Sequence, residues 1–92
     1  MNKVILEGST LIDKKVLHNV LKKELGFPEY YGENLDALWD CLTTDIELPV
    51  VIEWIDFEMS KKLLGDYAES TLKIFQEAER STEGRVQIHI KI

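Results

Sequence analysis

Apolar residues along the chain occur in three short runs that predict β-strands. Residues 4–6 form the centre of a strand from Lys3 to Glu7. Residues 50–52, closed by Trp54, form a continuous apolar run, which is typical of a strand covered on both faces in a parallel sheet. Apolar and polar residues alternate over residues 86–92, which predicts a last strand whose buried face consists of Val86, Ile88, Ile90 and Ile92.

Two helices are predicted between the first two strands. The first begins after Asp13, a favourable N-cap, and its apolar residues recur at the spacing of an amphipathic face until Gly26 ends it. The second begins after the N-cap Asn34 and runs to about Thr43.

Two further helices are predicted between the second and third strands. One covers residues 56–64 and stops at Gly65, and the other begins at residues 66–69, which have the spacing of a capping box, and ends near residues 83–84. Successive strands are thus separated by roughly 30–40 residues that contain helices, as right-handed crossovers between parallel strands require. We therefore expect an α/β fold of order β-α-α-β-α-α-β, in which about four helices pack a small three-stranded parallel sheet, as a single domain over residues 1–92.

Negative charge is concentrated in one part of the chain. The net charge is −6, yet residues 24–60 contain ten carboxylates and no lysine, arginine or histidine, while the remaining residues carry seven acids and eleven bases. This asymmetry indicates an interaction surface for a cationic partner and argues against nucleic acid or an anionic membrane as a direct partner. An acidic surface that serves only solubility is the alternative.

Cysteine usage and hydropathy bear on the compartment. Cys41 is the single cysteine of the 92 residues, whereas secreted domains of this size are usually rich in disulfides. No apolar run is long enough for a signal-peptide core or a membrane helix. We expect a cytoplasmic protein that is monomeric when it is not bound to a partner.

The second predicted helix carries the strongest candidate for a binding surface. At about 100° per residue, Asp36, Asp40 and Thr43 fall within about a 60° arc, opposite the leucines of that helix, with Trp39 at the border. Asp40 lies near the C-terminal end, where the helix dipole disfavours a carboxylate. A carboxylate without a nearby base suits an external cation, and an ordinary solvated helix face is the alternative.

Enzymatic interpretations have less support. Asp36 and Asp40 point the same way from one helix and cannot flank a scissile bond, so a hydrolase would need a third carboxylate such as Glu53 or Glu77. Asp36 and Asp40 could hold a divalent ion only weakly, because no histidine accompanies them and the sequence has no calcium-loop spacing. Phosphate-binding loops are also absent, so we expect no metal, no cofactor and no enzymatic activity. We interpret Cys41 as a small apolar residue near the core boundary, His18 as a helix-surface residue and His89 as part of the polar face of the last strand.

The run EYYGENLDALWDCLT at residues 29–43 closely resembles the signature segment of the barstar family, and similarity extends over essentially the whole chain. This resemblance implies a three-stranded parallel α/β fold and tight one-to-one binding to a small basic secreted ribonuclease, whose active site the second helix and the preceding loop would occlude. The residue matching Asp40 would then lie where the substrate phosphate binds. The implied partner-binding residues are Tyr30, Asn34, Asp36, Trp39, Asp40, Thr43, Thr44 and Glu77.

One departure from the family pattern concerns the end of the second helix. Barstar-like proteins commonly have Gly-Trp at this place, where the present chain has Thr44-Asp45. Glycine permits a turn with positive φ that threonine resists. A barstar-fold immunity or binding module for a different basic toxin or partner is therefore the alternative function.

Overall fold

A computed structural model describes residues 2–45 and 49–91, except for the side chain of Asp45. The element order β-α-α-β-α-α-β is confirmed, with a 3-10 turn after the first strand and a π-helical turn after the second helix. The elements are β1 (Asn2–Glu7), α1 (Lys14–Leu25), α2 (Leu35–Asp40), β2 (Val50–Ile55), α3 (Phe57–Leu64), α4 (Asp66–Ser81) and β3 (Val86–Lys91). Within the described ranges, no helix is both long and apolar enough to cross a membrane.

The three strands form a parallel sheet in the order β1-β2-β3, as the crossover lengths predict. Val4, Ile52 and Ile88 lie side by side in the register, and even-numbered residues of this kind face the core formed with α1, α2 and α4. The opposite face is only partly covered, since Glu53 is partly exposed and Ile5 is 48% exposed. Val51 points to this opposite face and is buried, as are Val50 and Ile52 on the core face, so the prediction that the apolar run of β2 is covered on both faces is confirmed.

The third strand also differs from its predicted pattern. Val86 is buried and Ile88 is partly buried, but Ile90 is 42% exposed even though it belongs to the core-facing set. β3 is an edge strand, so Ile90 has a neighbouring strand on one side only, where the fully buried Trp54 lies beside it in the register. His89 is exposed, as predicted, and Ile92 lies outside the described residues.

Helix boundaries follow local signals in α1 and depart from them in α4. The Oδ1 atom of Asp13 accepts a hydrogen bond from the Val16 amide at 2.9 Å, and Gly26 ends α1 with a φ of 67°. The predicted capping box at residues 66–69 is wrong. Gly65 occupies both the C-cap of α3 and the N-cap of α4, so Asp66 already lies inside the helix and cannot cap it.

Candidate protein-binding site

The loop before α2 is fixed by the side chain of Asn34. Its Oδ1 atom accepts a hydrogen bond from the Ala37 amide at 2.8 Å, and its Nδ2 atom donates to the Gly32 carbonyl at 3.3 Å. The preceding residue, Glu33, has a φ of 53°, an uncommon value for a residue with a side chain. Asn34 is thus confirmed as the N-cap of α2, and its amide group holds the loop against the first turn of the helix.

The C-terminal end of α2 widens into a π-helical turn over Cys41–Asp45. The Thr43 hydroxyl donates to the Trp39 carbonyl at 2.9 Å, and the Thr44 hydroxyl donates to the Asp40 carbonyl at 2.5 Å. Thr44 is not among the described residues with positive φ, so the chain continues the helix where a family glycine would permit a turn. Such π-helical turns occur frequently at functional sites.

The acidic residues of α2 differ from other carboxylates of the same stretch in that they form no ion pair within the described part of the chain. Glu29, Glu53 and Glu58 lie in the stretch without bases, but each pairs with a lysine from outside that stretch, at 3.4, 3.4 and 3.1 Å respectively. Asp36 and Asp40 are exposed, and in the described part of the chain no basic group lies within 4.0 Å of either carboxylate. The fold therefore leaves the negative charge of α2 available to another molecule.

An open groove of about 480 Å³ lies between this helix and the preceding loop. Tyr30, Asp40 and Thr44 all line it, so the structure brings these three predicted site residues together. Tyr30 is 78% exposed and forms an aromatic wall at the surface. The remaining lining residues are Tyr31, Gly32, Ala37 and Cys41.

The other predicted site residues lie outside the groove lining. Asn34 and Asp36 are exposed near the start of α2, whereas Trp39 is half-buried against the core and Thr43 is partly buried. Glu77 is exposed on α4, a helix that packs against α2. The predicted partner-binding residues therefore fall into three groups. Three residues line the groove, four lie elsewhere along α2 and its two ends, and Glu77 lies on α4.

The prediction that His18 is a surface residue is wrong. Its side chain is 1% exposed, and its ring nitrogens lie 2.6 Å from the Tyr31 hydroxyl and 2.7 Å from the Tyr67 hydroxyl. The sequence contains a signal for this placement, because His18 follows the buried Leu17 and precedes the buried Leu21 by three residues, so it shares their helix face. The tyrosine partners come from a loop and a distant helix, which helical spacing does not reveal.

The residues considered as a nucleophile and base, Cys41 and His18, are both buried. Cys41 is buried, as predicted, and both ring nitrogens of His18 are already within hydrogen-bond distance of tyrosine hydroxyls. Within the residues that the structure describes, no group of three or more histidine, cysteine, aspartate or glutamate side chains could hold a metal ion. An exposed acidic helix beside an aromatic loop is suited to binding a cationic surface.

A three-stranded parallel sheet packed by four helices defines the barstar-like class of α/β folds. The chain belongs to the barstar family, since the family model described as "Barstar (barnase inhibitor)" matches residues 1–92. It is also similar to the Bacillus subtilis (strain 168) protein named "Putative ribonuclease inhibitor YrdF". The two are 44% identical over 91 residues, which cover 99% of this chain and all of that protein.

Proposed function

We propose that this chain is a non-enzymatic, stoichiometric inhibitor of a small basic ribonuclease, and that α2 and the loop before it enter the active-site cleft of that enzyme. Membership of a family described as a barnase inhibitor supports the ribonuclease as partner, as does the name of the Bacillus subtilis relative. The inhibitor acts in the cytoplasm as a monomer that forms a one-to-one complex, and it protects the cell that produces the enzyme.

The observation that carries this proposal is the exposed Asp40 carboxylate, which has no basic partner in the described chain and lines a groove with Tyr30 and Thr44. A ribonuclease cleft stabilises a negatively charged phosphorane with arginine, lysine and protonated histidine. A rigid carboxylate accepts charge-assisted hydrogen bonds from the same groups. Asp40 would therefore take the place of the substrate phosphate.

Aromatic side chains provide the apolar part of the proposed contact. Tyr30 is largely exposed and Trp39 is half-buried, so both offer accessible area, and an aromatic side chain has only two rotatable bonds to immobilise. Aromatic residues of this kind are enriched among those that contribute most to protein–protein affinity. Together with the hydroxyls of Thr43 and Thr44, they would make the complex selective for one cleft shape.

Titration of a small basic ribonuclease with this protein tests the proposal. We expect activity to fall linearly and to reach zero at one equivalent. Added salt should slow association, because an acidic protein and a basic enzyme attract each other through screened charges. Residual activity at several equivalents with every small basic ribonuclease tried would contradict the proposal.

A second candidate function is binding of a different basic toxin with the same surface. The π-helical turn at Cys41–Asp45 favours it, because Thr44 takes the place of a common family glycine and its side chain lines the groove. A partner cleft shaped for glycine at this position would collide with the threonine. Substitution of Thr44→Gly distinguishes the two candidates: tighter inhibition of a ribonuclease in the variant would show that the native surface is shaped for another partner.

A further inference from the structure

Three buried or partly buried polar side chains connect α1, the loop before α2, and α4. His18 of α1 lies between Tyr31 of the loop and Tyr67 of α4, with its Nδ1 atom 2.6 Å from the first hydroxyl and its Nε2 atom 2.7 Å from the second. Tyr31 is 5% exposed, and Tyr67 is partly exposed. The Nζ atom of Lys14 lies 4.6 Å from the centre of the Tyr67 ring, on the side of α1.

The hydrogen-bonding capacity of a neutral imidazole sets the direction of these two bonds. One ring nitrogen carries a hydrogen and donates, while the other accepts. Tyr67 has access to water for its own hydroxyl proton, whereas Tyr31 is buried. We therefore assign the Tyr31 hydroxyl as donor to Nδ1 and the Nε2–H group of His18 as donor to the Tyr67 oxygen.

The network reaches the groove through Tyr31. This residue lines the groove, follows the exposed Tyr30, and donates its backbone amide to the Pro28 carbonyl at 3.0 Å. Its ring also packs against Phe27, with 4.7 Å between the ring centroids. The hydroxyl bond to His18 thus anchors the middle of the loop to α1, and the Tyr67 hydroxyl fixes the imidazole from the other side.

We propose that Tyr67 is a positioning residue for partner binding: through His18, it holds Tyr31 and hence the loop of residues 27–34 in the conformation that presents Tyr30. This inference rests on the proposed function, because the loop that Tyr67 would hold in place is part of the surface proposed to bind the ribonuclease. Burial raises the pKa of Tyr31 and Tyr67 and lowers the pKa of His18, which keeps all three groups neutral near pH 7 and preserves the hydrogen-bond pattern.

Amide hydrogen exchange in the free protein tests the positioning role without any partner. In Tyr67→Phe we expect exchange at the Tyr31 and Ala37 amides to become roughly tenfold faster, as for the loss of one net hydrogen bond. Exchange at the Val16 amide, which the Asp13 cap of α1 protects, should stay unchanged. Uniform acceleration over the whole chain, or unchanged exchange in the loop, would overturn the proposal.

Two control variants test whether the faster exchange comes from loss of the hydrogen bond between the Tyr67 hydroxyl and His18. Tyr30→Phe removes the same atom from an exposed ring and should leave loop exchange unchanged. Lys14→Gln removes the cation above the Tyr67 ring but keeps the hydroxyl, and it should also leave the loop unchanged. Acceleration of loop exchange in either control equal to that in Tyr67→Phe would overturn the assignment to the Tyr67 hydroxyl.

The wild-type protein offers a test that does not depend on the folding of a variant. Nitrogen NMR of the His18 ring reports which atom carries the hydrogen. We expect a protonated Nε2 atom and an Nδ1 atom that accepts a hydrogen bond. A hydrogen on Nδ1 would overturn the assigned direction, because Tyr67 would then be the donor and Tyr31 the acceptor.

Inhibition measurements complete the test. Tyr67→Phe should weaken binding about tenfold. If Tyr67 acts on binding through the loop, the loss of binding caused by Tyr67→Phe should fall below about twofold when Tyr30 is already replaced by alanine, because the effects of coupled residues are not additive. The same loss should stay about tenfold when Glu77 is replaced by alanine instead. Equal losses in both backgrounds would overturn the proposal. Absence of inhibition by the wild-type protein would instead contradict the proposed function, and the exchange result would still decide the positioning role.

Discussion

At the scale of single residues, Asp40 occupies a position that is unfavourable for folding. Asp36 lies one helical turn before it and carries the same charge, and no base lies within 4.0 Å of the Asp40 carboxylate in the described part of the chain. Residues kept at such positions commonly serve binding, and the cost to the isolated protein is offset when the complex forms. Asp40 is therefore the residue whose substitution best separates binding from stability.

For Asp40→Ala we expect Kd for the ribonuclease to rise at least about thirtyfold, or about 2 kcal/mol, as for other central interface residues. The free energy of unfolding should stay the same or increase by up to about 0.5 kcal/mol, because like charges four residues apart on a helix repel each other. Titration of ribonuclease activity and urea denaturation measure the two quantities.

Glu24→Ala is the matched control for this change. Glu24 is an exposed carboxylate in the same stretch without bases, but it lies on α1 and does not line the groove. Removal of its charge should slow association slightly and leave dissociation unchanged. If Asp40→Ala unfolds the protein, or weakens binding no more than Glu24→Ala does, the proposed role of Asp40 is wrong.

Local chemistry determines which single residues could be predicted. Asp13 and Asn34 were predicted as N-caps because capping depends on groups two or three residues away, and both are confirmed. His18 was misplaced because its burial depends on Tyr31 and Tyr67, which are 13 and 49 residues away in sequence. The roles of the eight predicted partner-binding residues stay predictions.

At the scale of secondary-structure elements, α2 is short for the function proposed here. Its regular part has six residues, and an isolated helix of that length is unstable in water. It is held by the Asn34 cap, by Leu38 and Leu42 in the core, and by packing against α4. The sequence predicted the cap and the apolar face, but the π-helical ending depends on how the following residues meet the core and could not be predicted.

Loss of the α2 cap should affect binding as well as stability. In Asn34→Ala the Ala37 amide and the Gly32 carbonyl lose their partners, so we expect a loss of about 1 kcal/mol in the free energy of unfolding and weaker inhibition. Asp13→Ala removes the same type of cap from α1 and should cost a similar stability while inhibition stays unchanged. Equal inhibition by the two variants would show that the α2 cap does not position the binding surface.

At the scale of the whole molecule, folding changes the charge pattern that the sequence presents. The stretch of ten carboxylates without a base suggests one continuous acidic face, but Lys3, Lys22 and Lys61 reach into it from other elements and pair with three of them. The charge on α2 is left without such pairs. That the partner is cationic stays a prediction from composition, whereas the position of the unpaired charge depends on tertiary contacts.

We expect the buried His18 to make the global stability of the protein depend on pH. Burial lowers the pKa of this imidazole below its ordinary value of 6.5, and the Glu33 carboxylate opposes that shift. Below about pH 6.5 the unfolded chain therefore binds a proton that the folded chain does not. Since the unfolded state then holds more protons, the free energy of unfolding decreases as the pH falls. The stability that the neutral His18 contributes is fully present above about pH 6.5.

Urea denaturation between about pH 7.5 and pH 5 checks this linkage in a range where ordinary carboxylates are still mostly ionised. We expect the wild-type protein and His89→Gln to lose stability alike as the pH falls, because His89 is exposed on β3. His18→Gln, whose amide can both donate and accept a hydrogen bond, should be less stable at pH 7.5 and show a weaker dependence on pH. An undiminished dependence in His18→Gln would mean that acid destabilisation arises from the carboxylates, and the buried imidazole would then have no measurable part in it.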